Sequence, residues 1–237
     1  MNEQETVDIL AFGAHPDDVE IGAAGILAKH ADLGQRTAIC DLTNGELSSN
    51  GDVETRKREA DRAASVLHLK GRYRMGFPDR GLRATSEQVE AMVRLIRRLK
   101  PRVVLAPFWK DRHPDHTACS HLVKEAVFDA AIRKKAAEDG VAPHRVDRVY
   151  FYFINQVDTA DVIVDISEVY RRKKEAILAF ESQFVPGPGR VETPLNRPNY
   201  LSMVEGRDQL WGHQIGTVYG EGLVSEGPLS LNTLIPS

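Results

Sequence analysis

Two short segments carry residue types suited to metal-assisted hydrolysis: Gly13-Ala14-His15-Pro16-Asp17-Asp18 and Arg112-His113-Pro114-Asp115-His116. In the first, His15 and Asp18 stand three apart across a turn that Pro16 stiffens, so both can point at one centre. Imidazole nitrogen and carboxylate oxygen are ordinary zinc ligands. Asp17 puts a second carboxylate beside the first, which suggests a division of labour, one ligand and one general base. The second segment repeats the device, with His113 and His116 three apart around Pro114. Three protein ligands with one open position describe a catalytic zinc site. A structural site would be closed by four ligands, usually cysteines, and this chain has two cysteines. One His-Pro-Asp turn alone is a weak signal, because Asp and His also serve turns and caps. Two such turns, each after an apolar run, are a much stronger one.

The elements around these turns must bring them together. Apolar runs at 7–12, 36–42, 72–76 and 103–107 read as strands, and amphipathic stretches at 19–33, 54–69 and 86–99 as helices. Ser86 is a candidate N-cap and Pro101 a stop. Helix is expected again over 114–135, a connector over 138–144, strands over 146–154 and 161–165, and a long helix over 167–183. From 184 the chain is rich in Pro and Gly, with a short helix conceivable over 198–212. This alternation predicts a Rossmann-like, three-layer α/β fold: a mostly parallel sheet covered on both faces, with an irregular C-terminal elaboration over about 184–237 of a single domain, 1–237. Ligands of such sheets bind beyond the carboxyl ends of the strands, at the switch point in strand order. Both turns follow strands expected to flank that point.

Composition narrows the class. With 42% hydrophobic and 27% charged residues the chain reads as globular. A net charge of −3 gives no case for nucleic-acid binding. The basic run Arg171-Arg172-Lys173-Lys174 falls in a helical pattern and reads as a solvated face. No apolar run is long enough to cross a bilayer, so no membrane partner is expected. Met1 is followed by the acidic Asn2-Glu3-Gln4-Glu5, unlike a secretory leader, which makes the cytoplasm the expected location. Cys40 and Cys119 read as small core residues. There is no G-x-G-x-x-G or Walker A lysine in 13–25 and no G-x-S-x-G elbow, so nucleotide and serine-hydrolase readings are weak. His30, His68 and His144 lack metal spacing and read as structural or exposed; His213 is left open.

The Ala14-His15-Pro16-Asp17-Asp18 segment together with His113-Pro114-Asp115-His116 resembles the LmbE-like, GlcNAc-phosphatidylinositol de-N-acetylase superfamily. The resemblance extends over most of the chain: Leu42-Thr43-Asn44-Gly45-Glu46, Arg56 and Glu59 at a helix start, and Gly76-Phe77-Pro78-Asp79. Val164-Asp165-Ile166-Ser167, Lys174 with Ala176-Ile177, and Ser182-Gln183-Phe184 are similar to the bacillithiol-biosynthesis deacetylase branch. The resemblance implies that His15, Asp18 and His116 bind Zn2+, one per subunit, with Fe2+ or Co2+ as possible occupants. It implies Asp17 as general base and His113 as the group that stabilises the oxyanion or protonates the leaving amine, with Asp115 orienting His113. It places Arg56 and Asp79 at substrate contacts, and Glu46 in the loop beside them. Some relatives carry a tyrosine near the second motif. Asp111 stands two before His113 here, so Tyr200 or Tyr219 would have to take that part.

The activity implied is hydrolysis of the acetamide of an N-acetylglucosamine derivative, a small-molecule substrate, foremost N-acetylglucosaminyl-malate. An amide carbonyl is a poor electrophile and water a poor nucleophile, and zinc addresses both. Asp17 would take the water's proton, and a protonated His113 would help hold the oxyanion. Alternatives of the same chemistry are a chitobiose-like sugar, a mycothiol-like precursor or thiol conjugate, and an antibiotic sugar. A non-catalytic sugar- or nucleotide-binding module and a metal-dependent phosphoesterase are rivals of other classes. The branch also implies a homo-oligomer, with a hexamer possible.

Overall fold

A computed structural model of the chain describes residues 5–135 and 141–230. Seven strands form one sheet in the order β3-β2-β1-β4-β5-β7-β6. The strands are β1 (Ile9–Gly13), β2 (Thr37–Thr43), β3 (Gly71–Phe77), β4 (Val103–Pro107), β5 (Arg148–Tyr152), β6 (Val162–Asp165) and β7 (Gly220–Val224). β1 pairs in parallel with both β2 and β4, so the strand order reverses beside β1, and β4 and β5 are parallel too. Within β1, Leu10 and Phe12 enter one core while Ile9 and Ala11 enter the other. A strand buried on both faces needs apolar residues at every position, which is why these runs are uninterrupted.

Helices α1 (Asp18–Asp32), α2 (Val53–Val66) and α5 (Tyr170–Leu178) pack on the face that carries Ile9 and Ala11. Helices α3 (Ser86–Leu99) and α4 (Pro114–Ala131) pack on the other. The expected three-layer, mostly parallel α/β architecture is therefore present. Details differ from the sequence reading. The N-cap of α3 is Thr85, whose hydroxyl accepts from Gln88 N, rather than Ser86. Helix α4 ends at Ala131 instead of 135: the buried Arg97 guanidinium takes the carbonyls of Ala130 and Ile132 at 3.1 and 2.8 Å, satisfying groups a helix end leaves open. The connector expected over 138–144 lies partly outside the described residues. The long helix expected over 167–183 is a 3-10 turn (Ser167–Val169), α5 and α6 (Glu181–Phe184), with a break at Ala179 and Phe180.

The stretch after 184 contains α7 (Tyr200–Gln214) and β7. β7 runs antiparallel between β5 and β6. It is tied to α1 from beneath. Glu221 of β7 accepts from Gly25 N and Ile26 N at 3.0 and 2.7 Å, and Arg207 of α7 donates to Ile21 O at 2.7 Å. Gly22 of α1 lies directly against Tyr152, where a Cβ would collide with the ring. The helix whose first residue is Asp18 is thus fixed on its sheet side by close approach and at its middle by buried charges.

One expectation fails here. Lys173, read as part of a solvated run, is 0% exposed, while its neighbour Arg171 keeps a side chain 90% exposed. The Lys173 ammonium lies 2.5 Å from Asp208 Oδ2 and 2.7 Å from Glu221 Oε1. A lysine is buried only when paired, and its two partners come from elements that sequence reading left uncertain or missed.

Candidate active site

The two motif turns leave adjacent strands on the same edge. β1 ends at Gly13 and α1 begins at Asp18; β4 ends at Pro107 and α4 begins at Pro114. Proline at the first helical position suits α4, since its missing N–H has no helical partner to lose. The His113 ring caps that helix, with Nδ1 accepting from Asp115 N at 3.2 Å.

Asp18 lies between the histidines of the two turns. Its Oδ2 is 3.5 Å from His15 Nδ1 and its Oδ1 is 3.1 Å from His116 Nε2. A cation about 2.0–2.1 Å from tetrahedral ligands would hold neighbouring donor atoms about 3.4 Å apart, and each of these two contacts, made by a different Asp18 oxygen, lies near that spacing. Two groups of three among the described residues hold ligand atoms within 4.8 Å of one another: His15 with His113 and His116, and His15 with Asp79 and Asp115. Behind each of the two ring nitrogens turned away from Asp18 stands a carboxylate. His116 Nδ1 is 3.0 Å from Asp111 Oδ1, and His15 Nε2 is 3.4 Å from both Asp79 Oδ1 and Asp115 Oδ2. Carboxylates that orient imidazoles from behind are the usual support of a metal-binding histidine.

The electrostatics point the same way. Burial works against a charge on His116, but Asp18 and Asp111 outweigh it and raise its pKa to about 9. His15 is likewise raised, against burial, by Asp115, Asp18 and Asp79. Carboxylates on both sides of each ring create a demand for positive charge at this point, and a divalent cation among the same donors would meet it. The donors gathered here, imidazole nitrogens and carboxylate oxygens, are of the kind a zinc-type ion takes.

The two adjacent aspartates differ sharply. Burial, and to a lesser extent the Asp18 charge, push Asp17 up to about 7, with Arg56 opposing. Asp18 is held well below the usual carboxylate range: burial opposes, but His116 and His15 prevail. Environments that drive neighbouring carboxylates apart mark a proton acceptor beside a permanently charged group. His113 is lowered, first by burial and then by the neighbouring His116 and His15. Its ring is therefore neutral near pH 7, and with Nδ1 accepting, its proton sits on Nε2. The cap contact and the lowered pKa favour a neutral donor at His113 over the protonated ring expected from the sequence.

A cleft of about 460 Å³ opens over these groups, walled by His15, Asp17, Asp18, His113 and His116 on the motif side. Thr193, Pro194 and Leu195 form part of its rim, and Arg80 and Arg112 line it as well. The rim segment is pinned by Asn50, whose side chain donates to Val191 O and accepts from Val191 N, both at 2.8 Å.

Residues 10–127 match the PIG-L family, GlcNAc-PI de-N-acetylase. The chain is 31% identical to a diacetylchitobiose deacetylase of Thermococcus kodakarensis, over 91% of this chain and 81% of that one. It belongs to this de-N-acetylase family. It is also 29% identical to a Bacillus subtilis protein described as "Probable N-acetyl-alpha-D-glucosaminyl L-malate deacetylase 2", over 74% of this chain and 82% of that one. Among solved structures it is similar to a conserved protein from Thermus thermophilus, at a TM-score of 0.87 and 37% identity over 98% of this chain and 100% of that one.

Within this member of the family several sequence assignments need correction. The Asp115 carboxylate does not orient His113; it accepts from Arg80 N at 2.8 Å and faces His15, and only its backbone N–H reaches the His113 ring. The exposed Glu46 does not wall the cleft: its Oε1 accepts from Asp79 N at 2.7 Å, closing one loop on another. Asp79 does line the cleft, with Oδ2 held by Leu47 N at 3.0 Å. Arg56 lines it too, but is 3% exposed and its guanidinium is engaged by the protein, so it offers no open fork to a substrate carboxylate. Tyr219 lies elsewhere, stacked on Tyr170 at 3.6 Å and donating to Glu205. Tyr200 is near enough to feel Asp17 and Asp18, and its buried hydroxyl has no hydrogen-bond partner among the described residues.

Three residues went unassigned in the sequence. Asp111 accepts from His113 N and from both Asn155 nitrogens while holding His116. Its place two residues before His113 was the available signal. Asn155 had none, because it arrives from beyond β5. Arg112 is exposed, donates to Asn155 Oδ1 at 3.2 Å, and meets no carboxylate among the described residues.

Proposed function

We propose that this chain is a zinc-dependent N-deacetylase that hydrolyses the acetamide of an N-acetylglucosamine derivative. The observation that carries the reading is Asp18 set between His15 and His116, with the elevated carboxylate of Asp17 next to it on the cleft wall. His15, Asp18 and His116 would hold the ion. When bound it supplies the positive charge that polarises a carbonyl and acidifies water. Asp17 accepts the proton of the attacking water. His113 Nε2–H donates a hydrogen bond to the carbonyl oxygen as negative charge develops there, and as a neutral ring it does so without surrendering its proton. Asp17 then returns the proton to the amine nitrogen as the C–N bond breaks, releasing acetate and a free amino sugar. Asp111 behind His116, and Asp79 and Asp115 behind His15, keep both rings in one orientation. The cleft draws on residues far apart in the chain, from His15 in the first turn to Leu195.

The substrate is a glycoside with an acidic aglycone, N-acetylglucosaminyl-malate foremost. Arg112 and Arg80 both line the cleft; Arg80 is paired with Asp115, whereas Arg112 meets no carboxylate among the described residues, and a guanidinium so placed suits a carboxylate-bearing ligand. Neutral diacetylchitobiose is the second reading, favoured by the Thermococcus kodakarensis relative. Released primary amine, measured for zinc-replete protein on both compounds and on N-acetylglucosamine, separates them. Preference for the malate glycoside by at least about tenfold in kcat/KM, the scale of one charge-assisted contact, is the expected result. Equal or better release from diacetylchitobiose would keep the deacetylase and remove the acidic aglycone. No release from any of the three would remove the N-acetylglucosamine assignment.

A further inference from the structure

We propose that Arg56 is a positioning residue that clamps Asp17 into its catalytic orientation, rather than a substrate-binding arginine. The inference rests on the reading of Asp17 as the general base.

Asp17 is held in an unusual backbone. Its φ is 111°, a left-handed value rare for any residue but glycine, and it caps α1 without a side-chain hydrogen bond to that helix. Such strain persists only where the surroundings over-determine it. Arg56 supplies that constraint. One terminal nitrogen, Nη2, donates both to Pro16 O and to Asp17 Oδ2, the latter at 3.0 Å. It thus grips the peptide before Asp17 and the carboxylate of Asp17 together. The other, Nη1, donates to Ser48 Oγ and to Gln183 Oε1. Only Nε lacks a partner among the described residues, and it is buried.

The protein is shaped around this guanidinium. Gly45, at φ 65°, passes so close that a Cβ there would come within 2.7 Å of Nη1. Gln183, the far anchor, is itself fixed by donating to Asn50 O at 2.6 Å. Next to it, Ser182 is held through N and Oγ by the buried Glu59, both at 2.7 Å. Arg56 enters from the first turn of α2, where Asp52 caps the helix by accepting from Thr55 N. A planar fork can hold two acceptors on one nitrogen and two on the other, which a lysine ammonium cannot match in direction. Asp18 does not depend on this clamp: its Oδ2 accepts from His15 N at 2.9 Å and its carboxylate spans the two histidines.

The test compares Arg56→Met, Arg56→Lys and Gly45→Ala with the parent chain. kcat and KM are measured on whichever of N-acetylglucosaminyl-malate and diacetylchitobiose gives the higher amine release. Zinc affinity is measured by titration calorimetry on metal-stripped protein, and the melting temperature for each variant. Displacing a reacting group by about 1 Å costs on the order of 100-fold, so Arg56→Met lowers kcat by about that factor. KM stays within about threefold, because the interaction lost is one made in the transition state and not with the bound substrate. Zinc affinity stays within the same range. Arg56→Lys recovers part of the loss, and Gly45→Ala, which pushes the guanidinium aside, lowers kcat in the same direction. Should Arg56→Met fail to fold, the lysine and alanine variants carry the test. A raised KM with kcat retained would overturn the proposal in favour of substrate contact, and a lost zinc affinity would overturn it in favour of a general scaffold role. Asp17→Asn with turnover intact would instead remove the base assignment on which the proposal rests.

Discussion

Asp17→Asn is expected to lower kcat by about 10²–10⁴-fold, the range of a positioned general base, while the protein still binds zinc and melts near the parent temperature. Asparagine keeps the shape of aspartate and an oxygen that accepts from Arg56, so the fold around the turn is preserved. It cannot take up a proton. Asp18 sits one residue away but cannot substitute, because its oxygens face His15 and His116 and its carboxyl is held well below the usual range. The two aspartates are therefore unequal in a way their adjacency hides. Steady-state kinetics with a zinc titration on the same sample checks this. Turnover within about threefold of the parent, with zinc bound, would exclude Asp17 as the base.

The largest expected loss of stability comes from Lys173→Met, far from the cleft. The substitution keeps the length and apolar stem of the side chain but takes its ammonium from Glu221 and Asp208, of which Asp208 keeps Arg207 as a partner, in a site with 0% exposure at Lys173, Asp208 and Glu221. Burial already raises Glu221, and Lys173 is the strongest influence opposing that rise. Removing one partner of a buried ion pair costs about 3–5 kcal/mol, because the remaining charge has no solvent to return to. For a chain of this size that lowers the melting temperature by on the order of 10 °C. Because Glu221 also holds the middle of α1 through Gly25 N and Ile26 N, the helix that starts at Asp18 should loosen with it. Denaturant melts of the two proteins give the difference directly. A change under about 1 kcal/mol, the size of an exposed pair, would mean the cluster is not the anchor its geometry describes.

These two positions show what the sequence carried. The placement of Asp17 at a strand end was legible because His15-Pro16-Asp17-Asp18 follows an apolar run, and a strand buried on both faces leaves a continuous signature. The same holds for His113 and His116 after β4, and the parallel order of the first four strands follows from their alternation with helices. Lys173 was not legible. Its charge reads as solvated until Asp208 and Glu221 are brought to it, and both lie far along the chain from it. β7 escaped for a related reason. Gly220-Glu221-Gly222 lacks β-branched residues, since Gly222 lies against Trp211, where a Cβ would come within 2.6 Å, and Glu221 serves α1. Arg56, Glu46 and Asp115 were found as residues but not in their contacts. Spacing places a side chain on a turn or a helix face; which neighbour its donors reach is decided by the loops that close over it, as Gly45 and Gln183 close over Arg56.

Amide hydrolysis in this cleft is proposed to require a metal held by His15, Asp18 and His116. The direct measurement is release of primary amine from N-acetylglucosaminyl-malate and diacetylchitobiose by protein stripped with a chelator, then titrated with zinc. Loss of turnover on stripping and its return at about one equivalent of zinc per chain is the predicted result, with no return in His116→Ala. Full turnover by the stripped protein would show that no metal at these residues is needed.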